Sequence, residues 1–377
     1  MKIVVDENIT YAEQAFSGYG DVVLVHGRNI SNEILFDADA LIARSITEVN
    51  EELLRNTAVK FVGTATIGVN HIDLNYLKHA GIGFADAKGS NANAVTEYVY
   101  TVIAKFLVEN DLSPNETTLG IIGRGNIGGR IAKLARYLGF KLLVNDPPLK
   151  RSGVRYPFSK LAQTLQADIL TIHTPLTMTG EYKTHNLISR ENIDSAKKLK
   201  FFINTSRGET AETAALLSIA TERKVPLCLD VWENEPFINA RLLESAKFAT
   251  PHIAGYSLEG KINGTLMMRQ AMDSFFMNTA KFNITVPKVE NNRVVLQSEK
   301  SIIELLYEAT RYVYKIETDT IALKKGVEME QMARGKYFDK LRKNYSLRRE
   351  FSSYMIELEP YNQEKAIVLR AFRFTVV

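Results

Sequence analysis

The sequence has little of what marks secreted, membrane or nucleic-acid-binding chains. Among 377 residues there is one cysteine, Cys228, so no intrachain disulfide can form. No apolar run approaches the roughly 18 residues that a membrane-spanning helix needs, so no membrane partner is expected. The start, MKIVVDEN, lacks the pattern of a signal peptide, and a cytoplasmic location is the expectation. Neither sign of charge dominates. With 47 Lys and Arg against 43 Asp and Glu, the net charge of +4 gives no reason to expect a nucleic-acid partner, although anionic small molecules are compatible with it. There is no internal repeat or low-complexity tract, and no metal is expected.

What the chain does have is an ordinary globular composition, 45% hydrophobic and 24% charged, over a length that suits two or three domains. The apolar runs KIVV, DVVLV, DALIA and KFVGTA alternate with helix-like stretches. A second set, TLGIIG, KLLVND, ADILTIH, KFFINTS and VPLCLDVW, follows the polar loop ENDLSPNET. Such alternation predicts parallel α/β sheets. Between the sets, Val95, Tyr98, Val99, Val102 and Phe106 recur at helical spacing and predict a buried bridging helix over 91–109, with another crossing over 265–278. From about residue 286 the texture changes. Ile302, Leu305, Leu306, Ala309 and Val313 share a helical face, and the chain ends in short strand-like runs, SYMIEL and FTVV.

In LGIIGRGNIGGR the pattern G-x-G-x-x-G falls on Gly123, Gly125 and Gly128, directly after an apolar strand and opening a helix at Asn126 and Ile127. Glycines so placed permit a tight turn, close approach of a pyrophosphate, and close packing of helix on strand. The next strand ends in Asp146, about 20 residues on, where a carboxylate meets the adenosine ribose hydroxyls. This predicts NAD as cofactor, with Asp146 repelling the extra phosphate of NADP. The alternative is a glycine-rich turn with Asp146 capping a loop. Thr174 and Thr205 are placed on the same carboxyl edge by the strands that precede them. The fold class is therefore read as α/β, two Rossmann-like doubly wound parallel-sheet domains plus a small C-terminal α+β dimerisation domain. Its boundaries are 1–94 with 265–285 for substrate, 95–264 for NAD, and 286–377, the split of the substrate unit being what the family resemblance given below implies.

Three reactive side chains stand after successive strands: Arg207 in INTSRGE, Glu235 in DVWENEP and His252 in TPHIAGY. Oxidation of a hydroxy acid by hydride transfer needs a cation for the carboxylate, an acceptor for the hydroxyl proton, and a group to orient that acceptor. Singly, each has a plain explanation as surface charge, loop residue or structural histidine. In this order and setting they resemble the D-isomer-specific 2-hydroxyacid dehydrogenase family over residues 1 to about 285. The resemblance implies that His252 is the acid/base, Glu235 its orienting partner and Arg207 the carboxylate anchor, while Asp230 and Gly255 lie by the cofactor. It further implies that Ser45, Thr66 and Tyr256 face substrate. Arg44, beside Ser45, is the candidate for a distal phosphate, its alternative being a solvated strand end. Arg124 and Ser90 depart from the family's usual residues.

The implied partner is a small phosphorylated 2-hydroxy acid, and the implied assembly a homodimer. Two other readings stay open: a neighbouring 2-hydroxyacid dehydrogenase such as one acting on 3-phosphoglycerate, and an interaction protein that senses dinucleotide without turnover. Of the neighbouring carboxylates, Glu233 is expected to be mostly solvated. The basic stretch KLRKNYSLRRE, 340–350, is expected to be a solvated or interfacial face.

Overall fold

Runs of valine, isoleucine and leucine become the strands of two parallel sheets. In the first, β1 (Lys2–Asp6), β2 (Asp21–Val25), β3 (Ala40–Ala43), β4 (Phe61–Thr64) and β5 (Gly83–Asp86) lie in the order β2-β1-β3-β4-β5. Successive side chains point to opposite faces. Ile3, Val5, Ala40 and Ile42 thus join one core, with Met268 and Met272 of the helix Leu258–Phe276, while Val4, Leu41, Ala43 and Val62 join the other. That helix is started by the Ser257 hydroxyl, which accepts from the Gly260 amide. This computed structural model describes residues 1–346 and 348–377; Leu347, within the basic stretch, lies outside the described residues.

The second sheet takes β6 (Thr118–Ile122), β7 (Lys141–Asn145), β8 (Ile169–Ile172), β9 (Phe201–Asn204), β10 (Leu227–Leu229) and β11 (Phe248–Ala249) in the order β11-β10-β9-β8-β6-β7. Helices cover both of its faces, and the helix Ala92–Glu109 fills one core almost all round because its sequence is apolar all round. A third sheet, β12 (Arg293–Gln297), β13 (Met355–Glu359) and β14 (Thr375–Val376), is parallel throughout. Its first crossover begins at the helix Ile302–Val313, fixed by a capping box in which Ser301 and Glu304 satisfy each other's amides.

The chain divides into Met1–Asn91 with Ser257–Lys288, and Ala92–Tyr256 with Val289–Val377. This differs from the expected boundaries in two ways. The helix Leu258–Phe276 belongs wholly with the first sheet, because its methionines lie in that core. Residues 289–377 do not stand apart as a third unit. Leu296, Leu305, Leu306 and Phe372 share one continuous core with Tyr98, Val102 and Ile131, and the Phe372 ring meets Tyr100 edge-on at 4.8 Å.

Candidate active site

The carboxyl edge of the second sheet gathers the predicted residues of that unit onto the loops after β6 to β11. At Gly123 the backbone turns with φ 87°, and a side chain there would strike the His173 carbonyl. Gly128 has no room at all, since an added Cβ would sit 1.9 Å from the Gly123 carbonyl oxygen. Gly125 is the opposite case. Among the described residues nothing lies within 4 Å of where its Cβ would be, and none supplies a side-chain cap to the helix Asn126–Leu138 that it opens. A turn closed on the protein side and open on the other, with the amides at Asn126, Ile127 and Gly128 heading a helix, fits a pyrophosphate.

Asp146 follows β7. Its carboxylate accepts from the Arg124 amide at 2.7 Å and the Leu149 amide at 2.9 Å, so it both braces the glycine turn and caps the next helix. Carboxylate oxygens have lone pairs to spare after one bond each, so this bracing is compatible with ribose hydroxyls. Arg124 lays its guanidinium on the Tyr156 ring, 4.1 Å from the centroid, and Arg151 pairs with Glu181. Among the described residues the buried Thr174 hydroxyl has no hydrogen-bond partner, which leaves a donor and acceptor for a ligand. Thr205 is buried and turns its hydroxyl to His173 at 3.4 Å. Burial pushes His173 down to about 3, so it is a neutral brace hydrogen-bonded to Thr171. His173 was not singled out in the sequence, although the run IHTPL contains it.

The residues expected to act as a pair meet on the loops after β10 and β11. His252 Nδ1 and Glu235 Oε2 are 2.7 Å apart, with the two side chains 31% and 19% exposed, which leaves the imidazole edge partly open. An ionised carboxylate at Nδ1 makes that nitrogen the donor and puts the lone pair of the neutral ring on Nε2. Glu235 is itself fixed, its Oε1 accepting from the Trp232 amide at 2.9 Å. Trp232 then ties three loops together. Its indole donates to the Thr250 carbonyl at 3.0 Å, and its backbone lies so close to Gly208 that an added Cβ there would be 1.9 Å from the Trp232 carbonyl carbon. Arg207, just before Gly208, is exposed, with one guanidinium nitrogen donating to the Ser206 carbonyl at 2.7 Å.

The other carboxylates of DVWENEP divide differently from expectation. Glu233 is less solvated than expected. It is partly buried and accepts from the Thr213 hydroxyl at 2.6 Å, holding the start of the helix Thr213–Thr221, whose first amides need an acceptor. Asp230 is 1% exposed and commits its carboxylate to the turn that carries His252. One oxygen accepts from Thr250 Oγ1 and the Ile253 amide, both at 2.7 Å, and the other from the Ala254 amide at 3.0 Å. Burial raises its carboxyl, against the pull of His252 and these donors. Tyr98, from the buried helix, completes the set at 2.7 Å from Thr250 Oγ1. Gly255 and Tyr256 follow in the same turn.

In the basic stretch, expected to be a solvated or interfacial face, Lys340 and Lys343 are exposed, but two arginines turn inward. Arg342 donates to the Tyr256 hydroxyl at 3.3 Å, and Arg348 donates to main-chain carbonyls of the His252 turn. Nothing in the local pattern marks these arginines, because their partners lie about a hundred residues away in sequence. In the first unit, Arg44 lies 4.0 Å from the fully buried Asp6 carboxylate, Ser45 is exposed, and the Thr66 hydroxyl meets that of Thr64 at 2.8 Å. Lys261, also of this unit, is exposed over much of its surface, and is held below its ordinary range by desolvation of its ammonium end and then by the charge of Arg44.

The family model described as "D-isomer specific 2-hydroxyacid dehydrogenase, NAD binding domain" matches residues 104–254, and one described as a domain of unknown function matches 285–372. An erythronate-4-phosphate dehydrogenase of Hahella chejuensis is 40% identical over 100% of this chain and 99% of its own. One of Proteus mirabilis is 42% identical over 99% of each. Among solved structures, a cofactor (NAD+)-bound 3-phosphoglycerate dehydrogenase of Entamoeba histolytica aligns with TM-score 0.57 and 26% identity over 76% of this chain and 99% of its own. A D-lactate dehydrogenase of Aquifex aeolicus complexed with NAD and lactic acid shares the fold, with TM-score 0.55 and 24% identity over 74% of this chain and 96% of its own.

Proposed function

The chain belongs to the erythronate-4-phosphate dehydrogenases, within the D-isomer-specific 2-hydroxyacid dehydrogenases, and from this premise and its site we propose that it oxidises 4-phospho-D-erythronate at C2. The product is (3R)-3-hydroxy-2-oxo-4-phosphooxybutanoate, and the reaction serves pyridoxal 5′-phosphate synthesis in the cytoplasm. The observation that carries the reading is the His252–Glu235 pair at 2.7 Å, on the same sheet edge as a glycine turn open at Gly125.

NAD, when bound, accepts the hydride from C2. The residues that hold it are Gly123, Gly125, Asn126, Ile127 and Gly128 at the pyrophosphate and Asp146 at the ribose, with Thr174, Thr205 and Gly255 along the same edge and Asp230 supporting that side through the turn. Neutral His252 takes the hydroxyl proton on Nε2 as hydride leaves, and Glu235 stabilises the imidazolium that results. Arg207 presents a planar fork suited to the substrate carboxylate. Ser45, Thr66 and Tyr256 complete the substrate contacts, and Arg44 binds the distal phosphate, a role supported by the nearness of a second cation, Lys261.

The test is a spectrophotometric panel of three- and four-carbon hydroxy acids, with and without phosphate, against NAD and NADP. Erythronate 4-phosphate with NAD gives the highest kcat/KM, and Asp146→Ala narrows the preference for NAD over NADP. Better turnover of 3-phosphoglycerate would move the protein to that neighbouring activity, and no NADH formation with any member would favour the sensing role.

The same reading makes the protein a homodimer held by its C-terminal segment. Val295 on the edge strand β12, Ile367 and Val377 are 48%, 47% and 50% exposed there, apolar surface that a second copy can cover. Sedimentation of a Val295→Lys, Ile367→Lys double variant gives a monomer; a dimer of unchanged strength would show that another face is used.

A further inference from the structure

His252 holds a backbone conformation that only a well-determined surrounding maintains, with φ 57° in the left-handed region. The peptide groups that follow it are gripped on both sides. From one side, the Asp230 carboxylate accepts the Ile253 and Ala254 amides, and the Asp230 carbonyl accepts the His252 amide at 2.8 Å. From the other, the Arg348 guanidinium donates to the Ile253 carbonyl at 3.1 Å and to the Ala254 carbonyl. The peptide joining Ile253 to Ala254 therefore has its carbonyl on a cation and its amide on an anion. Arg348 is anchored in turn by the Ala94 carbonyl at 2.9 Å and by the Tyr314 ring, 4.9 Å from its centroid.

The hold extends to the end of the turn. Arg342 donates to the Tyr256 hydroxyl, and the Tyr345 ring meets the Tyr256 ring edge-on at 6.0 Å. The segment that brings these groups is itself pinned to the buried helix, where the Phe351 amide donates to Glu97 Oε2 at 3.0 Å. A planar fork is what the site uses, since its nitrogens reach successive carbonyls at once while remaining on a third; an ammonium group is a single point.

The geometry points to Arg348 as a positioning residue for His252, so that the C-terminal segment is part of the catalytic machinery of its own chain and not only a surface for assembly. Arg348 touches neither substrate nor cofactor in this role. It acts through the main chain of residues 253 and 254, and fixes the direction in which Nε2 faces the substrate hydroxyl. The inference rests on the proposed function for its reaction, though not for its geometry.

The experiment compares wild type, Arg348→Met and Arg348→Lys as full-length chains, with kcat, KM and NADH binding measured on protein whose folded fraction is known from its melt. The hydroxy acid is erythronate 4-phosphate, or whichever member of the panel the wild type turns over best. Arg348→Met lowers kcat by about 10²-fold, the scale of a misplaced reacting group, while NADH affinity, read by fluorescence, stays within about twofold. Arg348→Lys recovers about tenfold of that loss. A residue that merely stabilised the fold would lower the melting temperature and leave kcat per folded molecule unchanged. If kcat of folded Arg348→Met is within about threefold of wild type, the positioning role is overturned. If Arg348→Met does not fold, the Arg348→Lys value decides alone, and wild-type kcat in that variant overturns the role. Absence of wild-type turnover with every hydroxy acid overturns the functional reading instead, which keeps the two failures apart.

Discussion

His252→Asn lowers turnover with erythronate 4-phosphate by about 10²-fold or more, the usual consequence of losing a general base. Asparagine cannot take the hydroxyl proton, although it preserves much of the polar surface. Glu235→Gln has a smaller effect of a different kind. The amide still accepts from Trp232, but it no longer supplies the negative charge that supports the imidazolium at 2.7 Å. Turnover falls and its pH dependence changes, because the charge beside the reacting imidazole is gone. The double variant costs little more than His252→Asn alone, since the pair acts as one unit. Glu233→Gln, which loosens only the Thr213 contact, keeps the wild-type profile. Pre-steady-state and pH–rate measurements on the four variants decide the matter. An unchanged profile in Glu235→Gln, with Glu233→Gln altered, would assign the wrong carboxylate.

Gly208→Ala is the second large effect, and it comes from a single added carbon. The new methyl would lie 1.9 Å from the Trp232 carbonyl carbon and 2.3 Å from the Glu233 nitrogen, both backbone atoms that cannot swing aside. One loop must move relative to the other. Overpacking of this kind costs about 1–3 kcal/mol of stability, which melting will register as a lowered Tm. The catalytic loss is larger, about 10²-fold in kcat/KM for the hydroxy acid, because the shift separates Arg207 from the loop that carries Glu235. Activity within about twofold of wild type would mean that the contact between the loops of β9 and β10 is not needed to position Arg207.

Much of this site was legible because its signals are local. The glycine turn is a spacing, and Gly128 is required by a contact with Gly123, only five residues distant in sequence, although the contact that requires Gly123 comes from His173 on the next loop of the sheet. Asp146 is found by counting to the end of the next strand. His252, Glu235 and Arg207 were each ambiguous alone and were separated from structural residues by their order after successive strands. Glu233 was misread because its partner, Thr213, is twenty positions back on another element, and charge pattern says nothing about that distance. The strands β5 and β12 were missed for a similar reason. GFAD is broken up by glycine and an acid, and RVVLQ alternates buried and exposed residues between polar flanks, so neither stands out as an apolar run until neighbours supply the ladder.

By itself, then, the sequence determined the two parallel sheets and the cofactor turn and singled out the candidates for the reactive side chains, because periodicity, turn chemistry and strand order are written along the chain. Tertiary structure alone decided what surrounds those side chains. It made Trp232 the link among three loops, gave Asp230 to the turn after His252, and merged residues 289–377 with the cofactor unit through a common core. It also brought Arg348 onto the carbonyls of Ile253 and Ala254, more than ninety residues away in the chain. Such contacts depend on packing between distant segments, whose net energy is spread over many small terms, and no short stretch of sequence carries it.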